Sequence, residues 1–120
     1  MRPVPFEVQS ENLDGVRLIV VRGELDLDTA RQLDELLPQE AVETDGAALV
    51  LDLSECEFID STGIAVIVRT AQRMNTGENG GRFALCCIND QVRRLFDVTG
   101  LDSSIPLHGS RQEAITDLRG

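Results

Sequence analysis

The sequence predicts an α/β architecture: a mainly parallel mixed sheet with an antiparallel hairpin strand at its N-terminus, packed against about four helices. Three observations lead there. Short apolar runs alternate with segments of helical periodicity, the order that yields parallel strands joined by crossover helices. Asn12-Leu13-Asp14-Gly15 carries strong turn chemistry between two strand-like runs, which makes the first pair a hairpin. Capping residues stand where the helical segments open.

In chain order, Phe6 to Gln9 is predicted to pair with Val16 to Arg22. Asp28 and Thr29 offer caps for the first helix, Thr29 with Gln32 forming a capping box ahead of Ala30, Leu33, Leu36 and Leu37. That helix is expected to end near Pro38 or soon after, since proline removes a donor and crowds the preceding turn. Ala48 to Leu53 is apolar and short, as a central strand buried on both faces should be. A short acidic loop follows, and from Ser61 the positions Ile64, Ile67, Val68, Ala71 and Met74 fall on one helical face. Gly77 to Gly81 reads as a loop and Arg82 to Ile88 as a strand. Asn89 caps a third helix carrying Val92, Leu95 and Phe96, closed by a left-handed Gly100 with Leu101 as its apolar contact. A strand at Ile105 to Leu107 precedes a last helix, opened by a second capping box, Ser110 with Glu113, and carrying Ala114, Ile115 and Leu118.

At 120 residues and 42% hydrophobic the chain suits one domain over 1–120, with its core at about 4–118. The net charge of −10 opposes direct docking on nucleic acid or anionic lipid. All 11 basic residues are Arg, so no lysine is available for Schiff-base chemistry. No apolar run approaches the roughly 20 residues that span a bilayer, and the start, Met1-Arg2-Pro3-Val4-Pro5, has no signal-peptide core, which makes a cytoplasmic location the expectation. Three cysteines, two of them adjacent at Cys86 and Cys87, disfavour a disulfide framework, and Cys56 reads as a small buried thiol rather than a redox sensor.

The stretch that carries chemistry is Asp60-Ser61-Thr62-Gly63, which sets a serine hydroxyl where a strand hands over to a helix. Backbone N–H groups at a helix N-terminus favour a negative group, so a phosphate is tolerable there. An isolated motif of this kind is by default only an N-cap. A nucleophilic triad is excluded because the only histidine, His108, is remote in sequence and no Gly-x-Ser-x-Gly elbow surrounds Ser61. The similarity to an aspartic-protease loop is set aside, because that loop belongs to an all-β architecture. Glu55, Glu57 and Asp60 are too few oxygen ligands for a hard cation, and no Walker-type loop is present, so no catalytic residue, metal or cofactor is expected.

Three motifs in order give the sequence a family likeness. Gly23-Glu24-Leu25-Asp26 with Thr29-Ala30, then Ile59-Asp60-Ser61-Thr62-Gly63-Ile64, then Val92-Arg93-Arg94-Leu95-Phe96-Asp97-Val98-Thr99-Gly100-Leu101 together resemble the STAS-domain antagonists of anti-sigma factors. Ala65 stands where that family usually has a second glycine. The resemblance implies the STAS fold and partner switching. The unmodified protein would bind an anti-sigma factor that is also a serine kinase of the histidine-kinase-like ATPase fold, releasing a sigma factor. Phosphorylation of Ser61 would end that binding, and a PP2C-type phosphatase would restore it. By the same resemblance Asp60 and Ser61 belong to the docking surface, with Glu24, Asp26, Thr62, Gly63 and Ile64 on or near it. The other role open to such a domain is a non-catalytic scaffold in a stress-sensing complex or an accessory domain of a transporter.

Overall fold

The computed structural model describes residues 5–13, 15–43, 48–76, 82–86, 88–99 and 105–119. Five strands form one sheet: β1 (Glu7–Leu13), β2 (Val16–Leu25), β3 (Ala48–Ile59), β4 (Arg82–Cys86) and β5 (Leu107–His108). They lie side by side in sequence order, β1-β2-β3-β4-β5, with β1 antiparallel to β2 and every other pair parallel. The helices are α1 (Leu27–Glu43), α2 (Ser61–Thr76), α3 (Asp90–Thr99) and α4 (Arg111–Arg119).

The alternation of side chains along the strands divides the interior in two. Ile19, Val21, Leu49, Leu51, Leu53, Phe83 and Leu85 face a large core closed by Ala30, Leu33 and Leu37 of α1, by Ile64, Ile67 and Met74 of α2, and by Val92 and Phe96 of α3. Their neighbours Leu18, Val20, Ala48, Val50, Ala84 and Cys86 face a smaller core, closed by Ala114, Ile115 and Leu118 of α4. Each fully buried Leu, Ile or Phe stabilises the fold by about 1.5–3 kcal/mol through lost water contact.

Several boundaries differ from the sequence expectation. The hairpin is longer, Leu13 pairing Val16 across a tight turn in which Gly15 takes φ +89°, a conformation that favours glycine. Helix α1 runs past Pro38 to Glu43, held by the apolar turns before the proline, whose packing outweighs one lost backbone hydrogen bond. Its cap is Asp26 rather than Asp28 or Thr29: the Asp28 and Thr29 amides both donate to Asp26 Oδ1, each at 3.1 Å. Strand β3 is twice the expected length, because the acidic stretch after Leu53 continues the ladder to Ile59. Strand β4 ends at Cys86, and β5 is displaced to Leu107–His108, leaving Ile105 buried just before it.

Other expectations hold as drawn. The Val92 amide donates to Asn89 Oδ1 at 2.8 Å, and the Glu113 amide to Ser110 Oγ at 3.1 Å. The expected conformation of Gly100, its contact with Leu101, the 77–81 loop and Cys87 lie outside the described residues.

Candidate functional site

The end of β3 is built by irregularity. Where β2 advances from Val20 to Arg22, β3 advances from Asp52 to Glu55, and where β2 advances from Gly23 to Glu24, β3 advances from Cys56 to Phe58. Each step gives β3 one extra residue, the signature of a bulge, and bulges re-aim the side chains beyond them. Gly23 meets the second irregularity with φ +101°, which explains a glycine inside this strand.

Beyond the bulges β2 and β3 finish level, Leu25 opposite Ile59, and each hands its chain directly to a helix. The two junctions use one device. Asp26 caps α1 as described, while the Asp26 amide donates to Thr29 Oγ1 at 2.9 Å and the Thr29 hydroxyl donates to the Glu24 carbonyl at 2.6 Å. Asp60 caps α2: its Oδ1 accepts the Thr62 amide at 2.9 Å, the Gly63 amide at 3.2 Å and the Thr62 hydroxyl. The Ile64 amide donates to the Asp60 carbonyl at 3.1 Å, and the Asp60 amide ties the junction to the Leu25 carbonyl at 3.1 Å. The Thr62 hydroxyl and the first-turn amides hold the Asp60 carboxyl below its ordinary range, and Asp26 nearby opposes this. Hydrogen bonds from Thr29 do the same for Asp26. Both carboxylates are ionised at neutral pH.

Ser61, the first residue of α2, is exposed. The sequence expectation of open amides for a negative group is corrected here, since Asp60 already occupies those of Thr62 and Gly63. The residues singled out from sequence do meet at this corner, at different depths. Glu24, Asp26, Asp60 and Thr62 are half-buried, whereas Gly63 and Ile64 lie in the interior, beneath the surface rather than on it. Gly63 is required there: a Cβ would stand 2.6 Å from Ile59 Cγ1 and 3.0 Å from Leu25 Cβ.

Three exposed apolar side chains, not singled out from sequence, surround the same corner: Leu27 at 58%, Phe58 at 40% and Val98 at 85% exposure. The signal was weak, since each falls outside the apolar stripe of its element, and only the fold shows that they cluster. Between the end of β3 and α3 lies a groove of about 400 Å³, floored by Ile59, Val92 and Leu95 and rimmed by Phe58, Val98, Ser61 and Arg94. Asn89 fixes α3 along it, its side-chain amide donating to the Cys56 carbonyl at 3.3 Å.

No histidine stands beside Ser61 among the described residues. His108 pairs with Asp117 at 3.2 Å and lies two strands away, level with Cys86 and so with Asp52, seven residues short of the end of β3. At about 3.3 Å per residue that is roughly 20 Å from the corner. Cys56 is buried, and desolvation pushes its thiol up, away from the thiolate that redox sensing needs. Among the described residues no group of three or more His, Cys, Asp or Glu could hold a metal, and no helix is long and apolar enough to cross a membrane.

One ionic feature went unnoticed in the sequence. Asp52, fully buried in the middle of β3, is paired with Arg111 of α4 at 2.6 Å (Nη2) and 2.8 Å (Nε), and its other oxygen accepts the Ser54 amide at 2.8 Å. An aspartate in the otherwise apolar run from Ala48 to Leu53 was the available signal, but nothing pointed to a partner 59 residues on.

Comparison with known proteins places this geometry. The STAS domain family model matches residues 7–114. The anti-sigma F factor antagonist of Paenibacillus polymyxa is 32% identical over 117 residues, covering 94% of this chain and 95% of that protein. The crystal structure of an anti-sigma factor antagonist from Mycobacterium paratuberculosis superposes with a TM-score of 0.84 at 33% identity, covering 97% of this chain and 96% of that one. The Bacillus cell fate determinant SpoIIAA, in its phosphorylated form, shares the fold with a TM-score of 0.69 at 21% identity, covering 96% of this chain and 100% of that one.

Proposed function

The chain belongs to the STAS domain family, and from that premise we propose that it is an anti-sigma factor antagonist switched by phosphorylation of Ser61. In the unmodified state it binds an anti-sigma factor that is also a serine kinase of the histidine-kinase-like ATPase fold, and so releases a sigma factor. The kinase transfers the γ-phosphoryl group of ATP to Ser61 Oγ, leaving ADP and a proton, and the complex parts. A PP2C-type phosphatase returns the hydroxyl by hydrolysis.

The observation that carries the reading is the exposed Ser61 hydroxyl on a rigid corner, flanked by the ionised caps Asp26 and Asp60 and ringed by Leu27, Phe58 and Val98. Exposed apolar side chains around a fixed polar centre are what a protein partner needs. Glu24, Asp26, Asp60, Ser61 and Thr62 meet that partner, while Gly63 and Ile64 hold the corner from below. A phosphate on Ser61 adds nearly two charges beside Asp60, and like charges at an interface cost several kcal/mol, with about 1.4 kcal/mol being tenfold in affinity.

The test combines mass spectrometry and calorimetry. Incubated with its anti-sigma kinase and ATP, the protein should acquire one phosphate, on Ser61. Titrated into the kinase with ADP present, Ser61→Ala should bind like wild type and resist release, and Ser61→Asp should bind at least about tenfold more weakly. Undiminished binding of both Ser61→Asp and the phosphorylated protein would replace the switch with a scaffold role.

A further inference from the structure

A phosphate on Ser61 needs a countercharge, and three first-turn amides of α2 are already committed. The amides of Thr62 and Gly63 go to Asp60 Oδ1, and that of Ile64 to the Asp60 carbonyl. The nearest fixed charges at the two caps are carboxylates. Across the groove stands a cation from another element: Arg94 of α3 lines the same 400 Å³ space as Ser61, with Gln91 one turn before it. Arg94 is exposed and makes no hydrogen bond or ion pair with any described residue. Its neighbour Arg93 is exposed too, but does not line the groove.

We propose that Arg94 is the intramolecular counter-ion of phosphorylated Ser61, so that modification clamps α2 to α3 across the apolar groove. A guanidinium offers paired N–H donors that match two phosphate oxygens, and a long side chain on a groove rim can swing inward without disturbing the helix that bears it. The pair covers the floor at Leu95 and Ile59 with charge, so the phosphorylated protein loses its apolar docking surface as well as gaining a repulsive group. Net repulsion alone would leave the groove open. The inference rests on Ser61 being the phosphoacceptor.

The experiment installs phosphoserine at position 61 of the full chain during translation, so no kinase takes part. Phosphorus NMR then follows the second ionisation of the phosphate in wild type, Arg94→Gln and Arg93→Gln. A nearby guanidinium favours the dianion, so the wild-type and Arg93→Gln midpoints should coincide, about half a pH unit or more below that of Arg94→Gln. Coincidence of all three midpoints would overturn the proposal, as would equal displacement by both substitutions, which would reveal a diffuse field. Independently of any variant, the Arg94 Nε–Hε resonance of the wild-type chain should move when phosphoserine replaces serine, and an unmoved signal would overturn the proposal too. A kinase that ignores Ser61 removes the switch proposed above while leaving this readout intact.

Discussion

The corner depends on single residues whose reasons differ. Ser61 and Asp60 were singled out in the sequence by their place in a three-motif family resemblance, since the pair by itself reads as an N-cap. Their division of labour could not be read there, since cap and hydroxyl are adjacent and only geometry shows that Asp60 takes the amides and leaves Ser61 outward. Gly63 was legible as a motif letter but not as a steric requirement, which arises from how the strand-to-helix turn folds Ile59 back on it and from Leu25, a residue 38 positions earlier. Gly63→Ala should destabilise the protein by about 1–3 kcal/mol, the usual cost of forcing an extra carbon into a packed interior. Urea melts of the two proteins check this; an unchanged midpoint would mean that Ile59 and Leu25 yield freely.

At the scale of elements, periodicity together with turn and cap chemistry located the helices and strands, and failed at their ends. Strand β3 was cut short because its distal half alternates irregularly, Ser54, Glu55, Glu57 and Phe58 being exposed and Cys56 buried, a pattern that two bulges produce and that simple alternation rules cannot read. Helix α1 reaches Glu43, five residues beyond Pro38, because the proline signal is local and the packing of the turns before it prevails. The final helix was found from its capping box, yet its firmest polar tie, Arg111 to Asp52, was not. Removing one partner of a buried pair strands the other charge, at a cost of about 3–5 kcal/mol, and the partial exposure of Arg111 places the expectation at the lower end. Arg111→Gln should therefore lower the unfolding free energy by roughly 3 kcal/mol in denaturant titrations. A loss below roughly 1 kcal/mol, the worth of an exposed pair, would show that water or a rearranged α4 satisfies Asp52.

For the molecule as a whole, the parallel sheet and its N-terminal hairpin were legible because layer order follows from the alternation of elements; the two unequal cores were not, because strand alternation does not say which helix covers which face. The charge of −10 acts at this scale too. It should steer a basic partner surface toward the Asp26–Asp60 corner, so the association rate with the anti-sigma kinase should fall at least about tenfold as ionic strength rises from about 0.01 to 1 M, with dissociation little changed. Stopped-flow mixing checks this, and a rate indifferent to salt would assign recognition to the apolar ring alone. The Asp52–Arg111 pair also bears on how the chain is made. Each strand through β4 pairs with a sequence neighbour and can dock as it leaves the ribosome, but Asp52 then faces the smaller core with its countercharge still 59 residues from synthesis. Until Arg111 is made, an uncompensated carboxylate stands beside Val50 and Val20, and that face of the sheet stays hydrated until α4 arrives to cover it. Synthesis of α4 thus becomes a condition for closing the smaller core.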